Sequence, residues 1–178
     1  SKLTDAEQAA VESEIDAVLG GAGASASGGG VGEVRADPGA LEAYAATVVA
    51  TLEGRDLAGM RIVVDCANGA NSVVAPEVLT SLGAEVTVLS ADPDGTNINA
   101  DCGSTHPRSL QDAVVAHGAA VGIAFDGDAD RLVAVDHRGQ LVDGDQIIAL
   151  CALDLAGRDR LADRTVVVTV MSNLGFHR

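Results

Sequence analysis

The chain has 178 residues, of which 47% are hydrophobic and 21% are charged, so it is rich enough in apolar residues to fold and long enough for about one domain. Its 11 basic and 26 acidic residues give a formal net charge of −15 at pH 7. A field of that sign repels a phosphate backbone, which argues against a nucleic-acid partner. No apolar run long enough for a membrane span and no secretory signal is recognisable, so no membrane partner is expected.

Three cysteines, Cys66, Cys102 and Cys151, are widely spaced in the sequence. An odd number at such spacing is typical of buried thiols in a reducing compartment, and it fits neither a disulfide framework nor a zinc site. Together with the lack of a signal, the cysteines predict a cytoplasmic protein.

The first predicted helix begins at Thr4, which forms a capping box with Glu7, and ends at Gly20. Residues 20–32 then contain seven glycines in thirteen positions, a composition typical of a flexible linker. A phosphate-binding loop is disfavoured here, because no Lys-Ser or Lys-Thr follows and no strand precedes.

A second helix is predicted from Asp37-Pro38, as N-cap and first helical residue, to Gly54. From residue 60 onward, short β-branched runs alternate with stretches of helical period. The predicted strands are 60–66, 85–89, 121–125, 132–135, 141–142 as the second half of a hairpin, and 165–170. The predicted helices are 74–83, 107–118 and 146–155. This alternation predicts an α/β fold with a mainly parallel sheet and flanking helices.

Ligands of such sheets bind beyond the carboxyl ends of the strands. That rule places three segments at one edge, namely 65–71, 92–107 and 126–131. The segment 92–107 is polar and longer than a simple connection requires, which is typical of a functional loop.

The most informative segment is Asp126-Gly127-Asp128-Ala129-Asp130-Arg131, directly after a predicted strand. Two carboxylates about 4 Å apart would repel each other by roughly 4 kcal/mol at an effective dielectric constant near 20. A divalent cation relieves that repulsion, and an all-oxygen ligand set selects Mg²⁺, Mn²⁺ or Ca²⁺. The alternative is a solvated acidic loop whose charges point apart. The position after a buried strand favours a metal site formed by Asp126, Asp128 and Asp130.

An EF-hand does not fit this segment. With Asp126 as the first position, the sixth would have to be glycine but is Arg131, and the twelfth would have to be glutamate but is His137. Arg131 is suited to bind a phosphate group through two hydrogen bonds, or it is a surface partner of Asp128 or Asp136. The first interpretation makes the segment one part of a phosphoryl-transfer site.

At these residues the sequence resembles a known family. DGDADR at 126–131 resembles the metal-binding loop of the α-D-phosphohexomutases, a superfamily of four-domain enzymes. Within it, three further stretches resemble phosphoglucosamine mutases: DCANGA at 65–70, DGTNINADCGSTHP at 94–107 and DHRGQLVDGDQI at 136–147. The resemblance implies that residues 1–19 end a first domain, that 20–36 are a linker, that 37–138 form the α/β second domain, and that 139–178 begin a third.

The resemblance also implies a reaction. Phosphoglucosamine mutases are isomerases that interconvert glucosamine 6-phosphate and glucosamine 1-phosphate through glucosamine 1,6-bisphosphate, for amino-sugar and cell-wall precursor synthesis. A phosphoserine donates the phosphoryl group, and Mg²⁺ bridges that phosphate and the carboxylates that match Asp126, Asp128 and Asp130. Arg131 would support the phosphate.

The sequence departs from the family at the nucleophile. The family's serine lies in a Ser-His-Asn-Pro tetrapeptide, which does not occur in these 178 residues. Ser25 and Ser27 lie in the glycine-rich linker, and we assign them no catalytic role. We therefore expect no catalytic residue in this fragment, in which Arg131 only supports the phosphate, and no turnover by the fragment alone. Two alternatives stay open: a phosphomannomutase or phosphoglucomutase, and a non-catalytic module that binds a phosphorylated partner.

Several other polar residues have two interpretations. His106 is either a loop residue or, less favoured, a general base. Asn97, Asn99, Gly103 and Ser104 either shape their loop or face the active site. Asp143 and Asp145 have the spacing of a second metal pair, but a turn followed by a helix N-cap at Asp145 explains them better.

Overall fold

The structure is a computed structural model that describes residues 3–21, 30–37 and 39–177, with side chains as far as Gly175. Ser25, Ser27 and Pro38 lie outside the described residues. The chain divides into two units, residues 1–37 and 38–178. The predicted boundary between residues 138 and 139 stays a prediction. No helix of the described ranges is both long and apolar enough to cross a bilayer.

The first unit contains helix α1, Asp5–Leu19. The main-chain amide of Thr4 donates to Glu7 Oε2 at 2.7 Å, and the amide of Glu7 donates to the Thr4 hydroxyl at 3.4 Å. This pair confirms the predicted capping box, which satisfies amides that the first helical turn leaves without a partner.

The second unit has a five-stranded sheet with helices on both faces. Its elements in chain order are α2 Gly39–Ala50, β1 Arg61–Asp65, α3 Val74–Ser81, β2 Glu85–Leu89, α4 Arg108–His117, β3 Val121–Phe125, β4 Leu132–Asp136, β5 Leu141–Val142 and α5 Gly144–Gly157. The strand order is β2-β1-β3-β4-β5. Strands β2, β1 and β3 are parallel, and β3, β4 and β5 pair antiparallel. The predicted α/β class and the hairpin are confirmed.

Short connections explain the change of direction at β4. A parallel neighbour needs a crossover of a dozen or more residues, which α3 and α4 supply between the first three strands. Only residues 126–131 connect β3 to β4, so the chain turns back on itself there. The carboxylate segment is therefore a tight turn at the carboxyl end of β3.

Two apolar clusters lie on opposite faces of the sheet, because successive residues of a strand point to opposite sides. On one face, α4 packs over a cluster of Val63, Leu110, Val114, Ala119, Ala124 and Val135. On the other face, α3 packs over Val64, Cys66 and Ala75, with Leu79, Val86, Ala91 and Phe125 partly buried. Helix α2 packs against the outer side of α3, at Val74, Val78 and Leu82.

Gly122 sets the distance between α4 and the sheet. A Cβ atom at this position would lie 2.5 Å from Val114 Cγ2 and 2.9 Å from Leu110 Cδ1. Only a residue without a side chain allows the helix to approach β3 so closely.

The predicted strand at 165–170 is wrong for the described structure, in which these residues form no ladder with another strand. Val167 is 89% exposed and Val170 is 99% exposed, so this apolar run is not in the core. A β-branched run favours extended backbone, but strand formation also needs a neighbouring strand to receive its hydrogen bonds.

The prediction of buried thiols is correct for Cys66 and Cys102 and wrong for Cys151. The first two are buried and free, whereas Cys151 is free and exposed on α5. Helix α5 is apolar around much of its surface but buries no residue, so its sequence pattern did not indicate which side chains would be covered.

Candidate metal centre

Three loops meet at the carboxyl edge of the sheet, as predicted. The amide of Ala70 donates to the carbonyl of Gly127 at 2.8 Å, and the amide of Ser104 donates to the carbonyl of Phe125 at 2.8 Å. The amide of Asn99 donates to the carbonyl of Ala67 at 2.9 Å. These bonds join the 66–72 turn to the 92–107 loop and to the 126–131 turn, and they join the 92–107 loop to Phe125, the last residue of β3. We call the 126–131 turn the carboxylate loop.

The carboxylate loop is closed by its first and last residues. Asp126 Oδ1 accepts from the amide of Arg131 at 3.0 Å, and Asp126 Oδ2 accepts from Arg131 Nε at 2.7 Å. Within the loop, the amide of Ala129 donates to the Asp126 carbonyl at 3.0 Å, and Ala129 has a φ of +60°. These contacts fix a tight turn whose three acidic side chains, Asp126, Asp128 and Asp130, come close to one another.

Asp126 is buried, with 2% of its surface exposed, but its environment favours the ionised form. Burial would raise the pKa of this carboxyl group, while the two hydrogen bonds from Arg131 and the charge of its guanidinium lower it. The net effect holds the pKa of Asp126 below its ordinary value. A deprotonated carboxylate is the form that binds a cation.

The three carboxylates come together. One oxygen each from Asp126, Asp128 and Asp130 lies within 4.8 Å of the other two, with Asp126 buried and the other two side chains exposed. A cluster of carboxylate oxygens is the kind of donor set that Mg²⁺, Mn²⁺ and Ca²⁺ bind. Three protein ligands leave further coordination positions for water or for phosphate oxygens.

Arg131 contacts Asp126 and Asp130 rather than the partners considered from the sequence, Asp128 and Asp136. Its Nε lies 2.7 Å from Asp126 Oδ2 and 3.4 Å from Asp130 Oδ1, and its side chain is 74% exposed. The hydrogen bond to Asp126 and the charges of the three aspartates raise the pKa of Arg131, so it carries a positive charge at the rim of the loop.

Glycines permit the close contact between the loops. This role of Gly69 and Gly127 was not predicted from the sequence. A Cβ atom on Gly69 would overlap the carbonyl oxygen of Gly127, and one on Gly127 would lie 2.6 Å from Ile98 Cδ1. Gly103 has a φ of +72°, and a Cβ there would lie 2.6 Å from the Phe125 oxygen. The Asn68-Gly69 dipeptide indicates a turn, but no sequence signal shows what the glycine faces.

The role of Asp65 was also not predicted from the sequence. Its side chain is completely buried at the end of β1, and both carboxylate oxygens accept main-chain hydrogen bonds. The sequence signal is a charged residue directly after the apolar run Ile62-Val63-Val64.

Some polar side chains of the 92–107 loop make hydrogen bonds that shape the loop itself. Asn97 Oδ1 accepts from the amide of Asp94 at 3.0 Å, and its Nδ2 donates to the Asp92 carbonyl at 2.9 Å. Asn99 Nδ2 lies beside Gly127, next to the carboxylate loop. His106 is exposed and its Nδ1 lies 3.2 Å from the Thr105 hydroxyl, which supplies no base-activating partner.

Asp143 and Asp145 have structural contacts at the start of α5. Asp143, not Asp145 as expected, is the N-cap: its Oδ1 accepts from the amide of Gln146 at 2.9 Å, and its own amide donates to Gln146 Oε1. Asp145 Oδ2 accepts from the amide of Asn173 at 2.6 Å. The N-cap shifted because Gln146 completes a capping box only with the residue three positions earlier.

Comparison with known proteins identifies relatives of this chain. The family described as phosphoglucomutase/phosphomannomutase, alpha/beta/alpha domain II, matches residues 42–139, which include all three loops. The phosphoglucosamine mutase of Symbiobacterium thermophilum is 59% identical over 150 residues, covering 84% of this chain and 33% of the relative. That of Desulforudis audaxviator is 55% identical over 176 residues, covering 99% of this chain and 39% of the relative.

A solved structure has a similar fold. The phosphoglucomutase/phosphomannomutase family protein of Burkholderia thailandensis is 33% identical, with a TM-score of 0.55 over 65% of this chain and 26% of that chain. By the coverages of the two phosphoglucosamine mutases given above, the chain spans about a third of the length of the curated relatives it matches.

Proposed function

Because this chain belongs to the phosphoglucomutase/phosphomannomutase family, we propose that it forms part of a phosphoglucosamine mutase, an isomerase that interconverts glucosamine 6-phosphate and glucosamine 1-phosphate. The names of the similar curated proteins favour glucosamine over mannose or glucose as the sugar. The observation that carries the proposal is the convergence of three carboxylates at the carboxyl end of β3.

In this proposal, Asp126, Asp128 and Asp130 hold Mg²⁺. The ion would supply positive charge to the phosphoryl group during its transfer between a serine and the sugar, with glucosamine 1,6-bisphosphate as the intermediate. The chain's contribution is to hold the three carboxylates ionised and close together. Their mutual repulsion is the reason that they would bind a divalent cation.

Arg131 orients the site in two ways. It closes the loop through its bonds to Asp126, and we propose that its terminal guanidinium nitrogens bind phosphate oxygens. Both aspartate contacts use Nε, so the planar group can serve the loop and a phosphate at once.

The nucleophile would come from outside these residues, since no Ser-His-Asn-Pro tetrapeptide occurs in the chain. We therefore propose that the 178 residues alone have no mutase turnover. Measurable conversion of glucosamine 6-phosphate by this purified chain would contradict that part of the proposal.

A chimera tests the function. The matching 150 residues of the Symbiobacterium thermophilum relative are replaced by those of this chain, which are 59% identical. We expect the folded chimera to convert glucosamine 6-phosphate faster than mannose 6-phosphate or glucose 6-phosphate. The unmodified relative is the control. A folded chimera that converts none of the three would contradict the enzyme and favour a binding module, and a preference for mannose or glucose would reassign the sugar.

A further inference from the structure

Asp65 is a completely buried carboxylate at the end of the central strand β1. Its Oδ1 accepts from the amide of Ala67 at 3.0 Å, and its Oδ2 accepts from the amide of Gly103 at 2.9 Å. Among the described residues, none of the ion pairs includes Asp65. Burying a polar side chain is costly unless hydrogen bonds compensate, and here both compensating bonds come from main-chain amides.

The two amides belong to different loops. Ala67 lies in the 66–72 turn, and Gly103 lies in the 92–107 loop, which is 38 positions along the chain from Asp65. Asp65 therefore joins the two loops at a point inside the protein.

Each of those loops then bonds to the carboxylate loop or to the strand residue before it. The Ala70 amide donates to the carbonyl of Gly127, and the Ser104 amide donates to the carbonyl of Phe125. Glycines at 69 and 103 allow both approaches at distances that a side chain would block. Asp65 is thus connected to the carboxylate loop at Gly127 through the 66–72 turn, and to Phe125, the residue just before that loop, through the 92–107 loop.

We propose that Asp65 is a positioning residue, which holds the 66–72 turn and the 92–107 loop against the carboxylate loop and so fixes where the three aspartates converge. The inference rests on the proposed function in taking the carboxylate loop as the site. A purely structural Asp65 would stabilise only its own two hydrogen-bond partners.

Amide hydrogen exchange by NMR on the 178-residue chain tests this. In Asp65→Asn, which keeps the shape but replaces one acceptor with a donor, we expect protection to fall at least tenfold at the Ala70, Ser104 and Arg131 amides. Val114→Ala is the control, because it disturbs the core beneath α4 at the opposite end of the sheet. The variants are compared at equal global stability. A loss of amide protection that is confined to Ala67 and Gly103 would overturn the proposal.

The wild-type chain provides a measurement that needs no variant. If Asp65 couples the loops, the amides of Gly103, Ser104, Ala70 and Arg131 open as one unit, with the same free energy and the same dependence on low denaturant concentrations. Independent opening of Arg131 and Gly103 would overturn the inference, even if Asp65→Asn does not fold.

The same samples separate this inference from the proposed function. Mn²⁺ is added to the wild-type chain, and selective broadening of the amide signals of 126–131 reports cation binding. Absence of broadening at millimolar Mn²⁺ would contradict the metal site. The exchange results would still decide whether Asp65 positions the loop.

Discussion

Arg131 Nε and Asp126 Oδ2 lie 2.7 Å apart, which joins the last residue of the carboxylate loop to the first. The carboxylate is buried and the arginine is mostly exposed, so the pair connects the core to the rim of the site. Because the amide of Arg131 also donates to Asp126, the loop is closed by two bonds. Asp128 and Asp130 lie between these fixed ends, which limits how far their side chains can separate.

Arg131→Met should change how the stability depends on pH. The folded-state pKa of Asp126 is lowered, so its ionised form contributes stability that is complete above the unfolded pKa of about 3.9 and is lost as the pH falls through the lower folded value. The variant keeps the main-chain hydrogen bond but loses the guanidinium. We expect it to melt at a lower temperature than wild type at pH 7, with the difference shrinking as the pH approaches 2.

Thermal unfolding between pH 7 and pH 2 measures this effect. Asp94 and Asp136 also have lowered pKa values, caused mainly by main-chain hydrogen bonds, and they destabilise both proteins alike in acid. The difference between the two proteins therefore isolates Arg131. A difference in melting temperature that stays constant over the whole range would contradict the assigned role.

Asp128→Asn should weaken binding of Mg²⁺ or Mn²⁺, because a neutral amide replaces one of the three carboxylates that we propose as ligands. We expect a loss on the order of tenfold or more, measured by Mn²⁺ titration with electron paramagnetic resonance. Asp154→Asn is a matched control: this aspartate of α5 is also exposed, and it pairs with Arg158, the C-cap residue of that helix. An unchanged isotherm for Asp128→Asn would remove this residue from the site.

Much of the fold and the site was predictable because the signals are local. The capping box at Thr4, the alternation of strands and helices, and the turn after β3 all depend on neighbouring residues. The alternation and the turn are enough to place the three aspartates at the carboxyl edge of the sheet. The roles of Asp65 and Gly69 depend on residues 38 and 58 positions away, Gly103 and Gly127, and no local pattern indicates such contacts. The wrong prediction of a strand at 165–170 has the same origin, since a strand forms only beside a neighbouring strand that receives its hydrogen bonds.

The thiols should differ in reactivity. Burial and the charge of Asp65 raise the pKa of Cys66 to about 11, and burial raises the pKa of Cys102, whereas Cys151 is exposed. The thiolate is the reactive form, so at pH 8 about one Cys66 in a thousand would be ionised. With a disulfide reagent we expect one thiol to react rapidly in the native chain and all three to react rapidly after denaturation. Cys151→Ser should abolish the fast phase, and a fast phase that persists would contradict the burial of the other two.

Gly122→Ala should destabilise the second unit by about 1–3 kcal/mol, because the new methyl group would overlap Val114 and Leu110. Chemical denaturation measures the change. Gly157→Ala is the control, since a Cβ there meets nothing within 4 Å and the residue ends α5, so we expect no loss of stability. Adding Val114→Ala to Gly122→Ala makes room for the methyl group, and the double variant should lose less than the sum of the two single variants. Strict additivity would show that the helix moves away instead of colliding.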